Sequence, residues 1–317
     1  MIEQKVVILL ATYNGEMYIR EQLDSIINQT YRDFVIYISD DGSTDDTIPI
    51  IMKYRNEYPD KIVILEHKDS YKSAKGNFIN LLRVVESDLY FFCDQDDIWT
   101  ANHIEVFLNK YKTLSGVEKQ EPILIHSDLT VVDNNLCVLA NSFLQYLKLP
   151  RNPRKRYYFL MNNVTGCVSM INDSLKKKAF YDYDYLQKNI DKITMHDHFF
   201  SLVAVEFGKK IFIDDKTNLY RQHDKNVLGA GGGYNFKGNI KKFFQINKTI
   251  QGLETNKRFV KFFADYFQKE LSLSEYKIMK EFCDIKSKNK ISRIYFLIKN
   301  GILKYDIYRN IILFFVI

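Results

Sequence analysis

The chain begins with a repeating alternation of apolar runs and polar breaks. Residues 6–10 (VVILL) form a short, partly β-branched run that suits a strand buried on both faces. It stops at ATYNG (11–15), a turn, and a helix follows in which Ile19, Leu23, Ile26 and Ile27 recur at helical spacing. A second run at 35–39 ends in DDGSTD (40–45), where Thr44 or Asp45 can cap the next helix. A third run at 62–65 leads to a helix over 77–85, and a fourth at 89–93 passes directly into DQDD (94–97). Four such repeats predict an α/β domain with a mostly parallel sheet. Further along, a turn at NVTGC (163–167) precedes a strand at 168–171, and a helix is expected over 197–207.

Ligands of such sheets bind at the carboxyl ends of the strands, and each polar cluster falls at one. Thr12, Tyr13 and Asn14, then Asp40 and Asp41, then Asp94 and Asp96 are distant in sequence yet converge on one predicted rim. Neither GxGxxG nor GxxxxGK[ST] is present, which excludes a dinucleotide fingerprint and a P-loop. So many carboxylates would repel a phosphorylated ligand unless a divalent cation lay between. Asp94 and Asp96, one residue apart on a turn, can direct oxygens at one Mg²⁺ or Mn²⁺. The expected ligand is a metal-bound nucleotide diphosphate. Lys75 can reach a phosphate; the alternative is a surface lysine beside a helix start, with Asn77 as the cap.

Charge divides the chain further. The 317 residues carry 45 Lys and Arg against 39 Asp and Glu, a net charge of +6. Residues 235–317 alone hold +10, and the rest −4. This predicts an acidic enzyme body over 1–233 and a basic, aromatic-rich helical extension over 234–317, joined near GAGGG (229–233), itself either a lid or a linker. With 46% apolar and 26% charged residues, a wholly disordered or multi-pass membrane chain is excluded. The four cysteines form no CxxC pair, so neither a disulfide framework nor a structural zinc site is expected. The opening apolar run is too short for a secretory signal, and a cytoplasmic location is expected. The extension has three readings: nucleic-acid binding, for which no motif is present; a helical bundle packed on the body; and peripheral attachment to a membrane, which the mixture of basic and apolar residues favours. The last run, NIILFFVI (310–317), is too short to span a bilayer.

These motifs resemble a known family. VVILLATYNGEMYIREQLDSIINQTYRDFVIYISDDGSTDDT (6–47) is similar to the opening of family-2 glycosyltransferases with the GT-A fold, and FCDQDDIW (92–99) to their DxD metal motif. MHDHFF (195–200) and LYRQHDKNVLG (219–229) resemble the bacterial rhamnosyltransferase-like branch. The resemblance implies that Thr12 and Asp40 or Asp41 contact the nucleotide, with Tyr13, Asn14 and Lys75 beside them. It implies that Asp94 approaches the donor ribose or sugar and that Asp96 binds the cation, with Asp94 and His223 near it. A structural hydrogen bond is the alternative for His223. Asp197 is implied as catalytic base, in His196-Asp197 where other members have Glu-Asp. Bulky aromatics commonly follow that base; here His198 does. Thr165 and Gly166 border the acceptor site in this reading, or form a simple turn. His103 and His126 are read as structural or exposed. The implied reaction is an inverting transfer, of L-rhamnose from a dTDP donor, to a growing lipid-linked polysaccharide at the inner face of the cell membrane. The alternatives are a UDP-linked galactosyl, galactofuranosyl or glucosyl donor, or a non-catalytic nucleotide-binding subunit of an assembly complex.

Overall fold

Strands β1 (Val6–Thr12), β2 (Phe34–Asp40), β3 (Ile62–Ile64) and β4 (Leu89–Cys93) alternate with helices α1 (Ile19–Ile27), α2 (Thr47–Glu57) and α3 (Ala74–Val84). The computed structural model describes residues 4–66, 71, 73–223 and 239–317, with backbone alone over 239–246 and at 248. The GAGGG stretch and the boundary expected at 233/234 lie outside the described residues. The four strands pair in parallel in the order β3-β2-β1-β4. After them come β5 (Ile98–Trp99), α4 (His103–Lys112), β6 (Ile123–Val132), β7 (Val138–Ala140), α5 (Phe143–Tyr146), β8 (Ser169–Asn172), α6 (Asp173–Ala179), α7 (Tyr183–Lys188), α8 (His196–Phe207) and β9 (Lys209–Arg221).

The sheet continues β4-β8-β6-β9-β5, with β7 beside β6. Here it is mixed: β8 runs antiparallel to both β4 and β6, β6 and β9 are parallel, and β5 is antiparallel to β9. The expectation of a mostly parallel sheet therefore holds for the first four strands and is corrected beyond them. The strand–helix alternation that imposes parallel crossovers ends at β4. Between β6 and β8 the only α-helix is the four-residue α5.

The pleat of β1 explains its uninterrupted apolar run. Val7, Leu9 and Ala11 face one core with α3 and α8, while Val6, Ile8 and Leu10 face the other with α1, α2 and α4. Thr12 lies opposite Asp40 and Leu10 opposite Cys93, so the polar residues after β1, β2 and β4 emerge side by side. α3 starts earlier than expected because Ser73 caps it, its side chain accepting from the Gly76 amide. Asn77 is not the cap; it is buried and donates to the Ser39 carbonyl at 2.9 Å.

The C-terminal part comprises α9 (Asn239–Tyr266), α10 (Leu273–Cys283), α11 (Lys290–Lys299) and α12 (Ile307–Val316). Phe259, Phe263 and Phe267 are fully buried and share one apolar core with Phe199, Phe200 and Leu9. Tyr266 ties the two parts, its hydroxyl donating to the Ala179 carbonyl and accepting from the Asp182 amide, both at 3.0 Å. The aromatic face of α9 is thus spent on packing against the body. No described helix is long and apolar enough to cross a membrane.

Candidate active site

A cavity of about 1110 Å³ opens at the carboxyl ends of β1 and β4. Thr12, Tyr13, Asn14 and Asp41 line it on one side. Asp40 does not. Its Oδ1 accepts from the Gly42 and Ser43 amides at 3.0 and 2.7 Å, and its Oδ2 from Ser43 Oγ and Thr12 Oγ1 at 2.6 and 2.7 Å. Both oxygens shape the turn, whose Gly42 has φ 90°. Of the two adjacent aspartates, Asp41 faces the cavity and Asp40 organises the loop. Asp41 accepts from the Tyr71 amide and from the Ser73 amide at 3.1 Å. Asp40→Ala would strand four donors and should cost about 2 kcal/mol, read as a lower denaturant midpoint at unchanged m-value.

Asn14 takes a left-handed conformation, φ 47°, with Oδ1 accepting from the Thr44 amide at 2.9 Å. Gln95, given no role in the sequence reading, clamps Tyr13 from the opposite loop. Its Oε1 accepts from the Tyr13 amide at 2.8 Å and its Nε2 donates to the Tyr13 carbonyl at 2.9 Å. A Cβ on Gly15 would lie 2.3 Å from that Oε1. Lys75 is a correction: its ammonium donates to the carbonyl of Ile193 at 2.5 Å, and it does not line the cavity.

On the facing side, Asp94 and Asp96 line the cavity with His223, which follows β9. His223 Nε2 lies 2.8 Å from Asp96 Oδ2. The imidazole stacks on Tyr18 at 4.8 Å, and the Arg221 guanidinium sits 4.9 Å from the same ring. Arg221 holds the loop in place, donating to the Asp96 carbonyl at 3.0 Å and the Asn134 carbonyl at 2.7 Å while pairing with Glu21. Asp97 points inward and accepts from Asn218 Nδ2 at 2.9 Å, from the Arg221 amide at 3.1 Å and from the Cys167 thiol. Burial, then the neighbouring Asp96, pushes Asp97 up to about 7. Burial also holds Asp94 well above the ordinary carboxylate range, reinforced by Asp96, Asp97 and Asp197. Carboxylates crowded in this way, with an imidazole beside them, fit a hard divalent cation. Ligand atoms of Asp94, Asp97 and Cys167 also lie within 4.8 Å of one another, but burial keeps the thiol protonated.

Asp197 closes the cavity from the first turn of α8. Its carboxylate accepts from the His198 amide at 2.5 Å, from the Gly166 amide and from the Asn162 side chain. Burial outweighs these bonds and pushes Asp197 up to about 7. His196 is packed against Phe78 and Phe92, with centroids at 4.3 and 5.3 Å, and burial depresses it to about 3, so it is neutral. Thr165 and Gly166 line the cavity. A Cβ on Gly166 would fall 2.7 Å from His196 Nε2, so the glycine is needed for that close approach. His198 is structural: its Nε2 donates to the Tyr158 carbonyl at 2.7 Å, leaving Nδ1 to accept from Thr194 Oγ1 at 2.8 Å, and its ring faces Phe259 at 4.7 Å. It fastens α8 to α9. His103 and His126 are buried in the fold, bonded to the Thr217 carbonyl and to Lys210 Nζ.

The sequence pattern of glycosyl transferase family 2 matches residues 7–177, more than half of the chain. The protein is a glycosyltransferase with the GT-A architecture, and it belongs to family 2. It is 32% identical over 248 residues to the dTDP-rhamnosyl transferase RfbG of Shigella flexneri, an alignment spanning 74% of this chain and 77% of that one. It is 26% identical over 173 residues to the Escherichia coli UDP-Glc:alpha-D-GlcNAc-diphosphoundecaprenol beta-1,3-glucosyltransferase WfgD, spanning 55% and 62%. Among solved structures, the mannosyltransferase PcManGT from Pyrobaculum calidifontis, in complex with GDP-Man and Mn²⁺, superposes with a TM-score of 0.50 at 13% identity, covering 94% of this chain and 86% of that one. That likeness bears on the fold alone.

Proposed function

We propose that the protein is an inverting, metal-dependent transferase that moves L-rhamnose from dTDP-rhamnose to a growing lipid-linked saccharide of a bacterial surface polysaccharide, at the cytoplasmic face of the membrane. The observation that carries the reading is that one cavity gathers Asp41, the Asp94–Asp96–His223 group and Asp197. In it, residues 1–233 do the chemistry and 234–317 form a helical extension. The relationship to the Shigella flexneri rhamnosyl transferase supports the choice of sugar and nucleotide.

Thr12, Tyr13, Asn14 and Asp41 hold the nucleotide, and the N3–H of a thymine or uracil suits the Asp41 carboxylate as acceptor. Asp94, Asp96 and His223 would hold Mg²⁺ or Mn²⁺, which supplies positive charge to a departing diphosphate. Thr165 and Gly166 border the acceptor. Asp197 takes the proton from the acceptor hydroxyl at a carboxylate oxygen as that hydroxyl attacks the anomeric carbon. The bond from that carbon to the diphosphate oxygen breaks in the same displacement, so configuration inverts and no protein nucleophile is needed. A base with pKa near 7 is about half ionised at neutral pH and basic enough to hold the proton.

The test is a donor panel of dTDP-rhamnose, UDP-galactose, UDP-glucose and UDP-N-acetylglucosamine on membrane-derived acceptor lipid, with and without EDTA. Transfer from dTDP-rhamnose alone, abolished by EDTA and restored by Mn²⁺ or Mg²⁺, is expected. Turnover of a UDP-hexose in its place would instead favour the kind of activity named for the Escherichia coli relative. Nucleotide binding with no transfer from any donor would indicate the non-catalytic subunit.

A further inference from the structure

α11 and α12 form an antiparallel hairpin. Arg293 donates to the Ile317 carbonyl, and Lys290 Nζ donates to the Phe315 carbonyl at 3.2 Å, so the start of α11 meets the end of α12. The inner face is well covered: Phe296, Leu297, Ile302 and Leu313 are buried in the main core. The outer face is also apolar. Ile291, Tyr295 and Ile298, spaced along one side of α11, are 82%, 64% and 53% exposed. Ile307, Ile311 and Phe315, spaced along one side of α12, are 80%, 59% and 67% exposed. Single exposed apolar residues need no explanation, but stripes on two adjacent helices do.

Charge identifies the partner. Residues 286–317 contain seven Lys and Arg against one acidic residue, Asp306. Cations border the stripes directly: Lys290 Nζ lies 5.2 Å from the Phe315 ring centre, and Lys299 Nζ 5.8 Å from that of Tyr295. Apolar side chains rimmed by ammonium groups suit the headgroup boundary of an anionic bilayer, where the chains enter the acyl edge and the cations meet phosphates. A second copy of this chain would instead bring like charges together. The hairpin also adjoins the active site. Arg309, in the first turn of α12, donates to the carbonyls of Leu147 at 2.7 Å and Lys148 at 3.3 Å, and Leu147 and Leu149 line the cavity.

We propose that the outer face of the α11–α12 hairpin docks on anionic lipid and sets the cavity beside the membrane surface. This deepens the functional reading, on which it rests only for the acceptor's location in that membrane. The test floats the full chain with vesicles of phosphatidylglycerol mixed with phosphatidylcholine, and with phosphatidylcholine alone. Two variants accompany it: Ile291→Ser, Ile298→Ser, Ile311→Ser and Phe315→Ser combined, and Lys290→Glu with Lys299→Glu. The wild type should float with the anionic vesicles, less so in high salt, and each variant should lose about tenfold or more in partitioning. Donor hydrolysis should be unchanged in both, since none of these side chains lines the cavity. The melting temperature should stay near wild type in the apolar variant, whereas Lys290→Glu gives up the bond to the Phe315 carbonyl and lowers it slightly.

Wild-type protein that ignores anionic vesicles, or variants that partition as it does, would overturn the proposal. So would a dimer in sedimentation velocity that the apolar variant dissolves. A donor panel that rejects rhamnose while vesicle binding persists would remove the functional reading and leave the docking face standing.

Discussion

Asp197→Asn should lower transfer by about 10²- to 10⁴-fold while leaving donor affinity within about twofold of wild type. In the proposed reading the side chain borders the acceptor; its hydrogen bonds come from Gly166, Asn162 and the His198 amide, none of them a residue assigned to the nucleotide. Asparagine keeps the shape and one acceptor oxygen but cannot take a proton. Wild-type kcat/KM should fall about tenfold per pH unit below the Asp197 pKa of about 7, because only the ionised carboxylate accepts the hydroxyl proton. The residual activity of the variant should lack that limb.

Stability separates this from misfolding. An aspartate in the unfolded chain ionises near pH 4, whereas folded Asp197 ionises near 7. As pH rises the unfolded state therefore releases this proton first, and the group's contribution to stability declines from about pH 4 to about pH 7. The variant has no such loss, which offsets the one mismatched donor it introduces. Its melting temperature at pH 8 should match or exceed that of the wild type. Unchanged transfer in a well-folded variant would remove Asp197 from the role of base.

The first half of the sheet was legible because β1, β2 and β4 are buried on both faces, which writes them as apolar runs ending in polar clusters. In the second half β8 and α8 were legible as elements, expected over 168–171 and 197–207, but the pairing was not. A four-residue strand entered through a tight helical turn at Gly166–Val168 carries no signal that it runs antiparallel to both neighbours. Asp40 and Asp41 could not be told apart in sequence, since only the pleat at the end of β2 decides which turns to the cavity. Lys75 was misread because its partner, the Ile193 carbonyl, is 118 residues away and is a backbone group that no motif advertises. Gln95 and Arg221 stood inside the motifs DQDD and YRQH, yet their work is to clamp other loops, which spacing cannot express. In α9 the buried stripe Phe259, Phe263, Phe267 keeps helical spacing, but basic residues interleaved with it suggested a lipid surface as readily as a core. The exposed stripes of α11 and α12, where apolar residues outlast the need for packing, are where the lipid argument has its physical basis.

Asp96→Ala should abolish activation by Mg²⁺ or Mn²⁺ and lower transfer by about 10²-fold or more. Two ligand sets compete in this corner of the cavity. Asp94, Asp97 and Cys167 cluster tightly, but Asp97 already receives the Asn218 side chain, the Arg221 amide and the Cys167 thiol, and that thiol is kept protonated by burial. Asp96 and His223 instead line the cavity, with their side chains 2.8 Å apart and no more than 16% exposed. The loop should survive the substitution, because Arg221 grips it through the Asp96 backbone carbonyl and not the carboxylate. Mn²⁺ binding in the presence of dTDP or UDP, followed by paramagnetic resonance, supplies a readout independent of turnover. Affinity should fall at least about tenfold in Asp96→Ala and stay near wild type in Cys167→Ser. The reverse pattern would move the cation to the buried set and reduce the Asp96–His223 contact to a structural hydrogen bond.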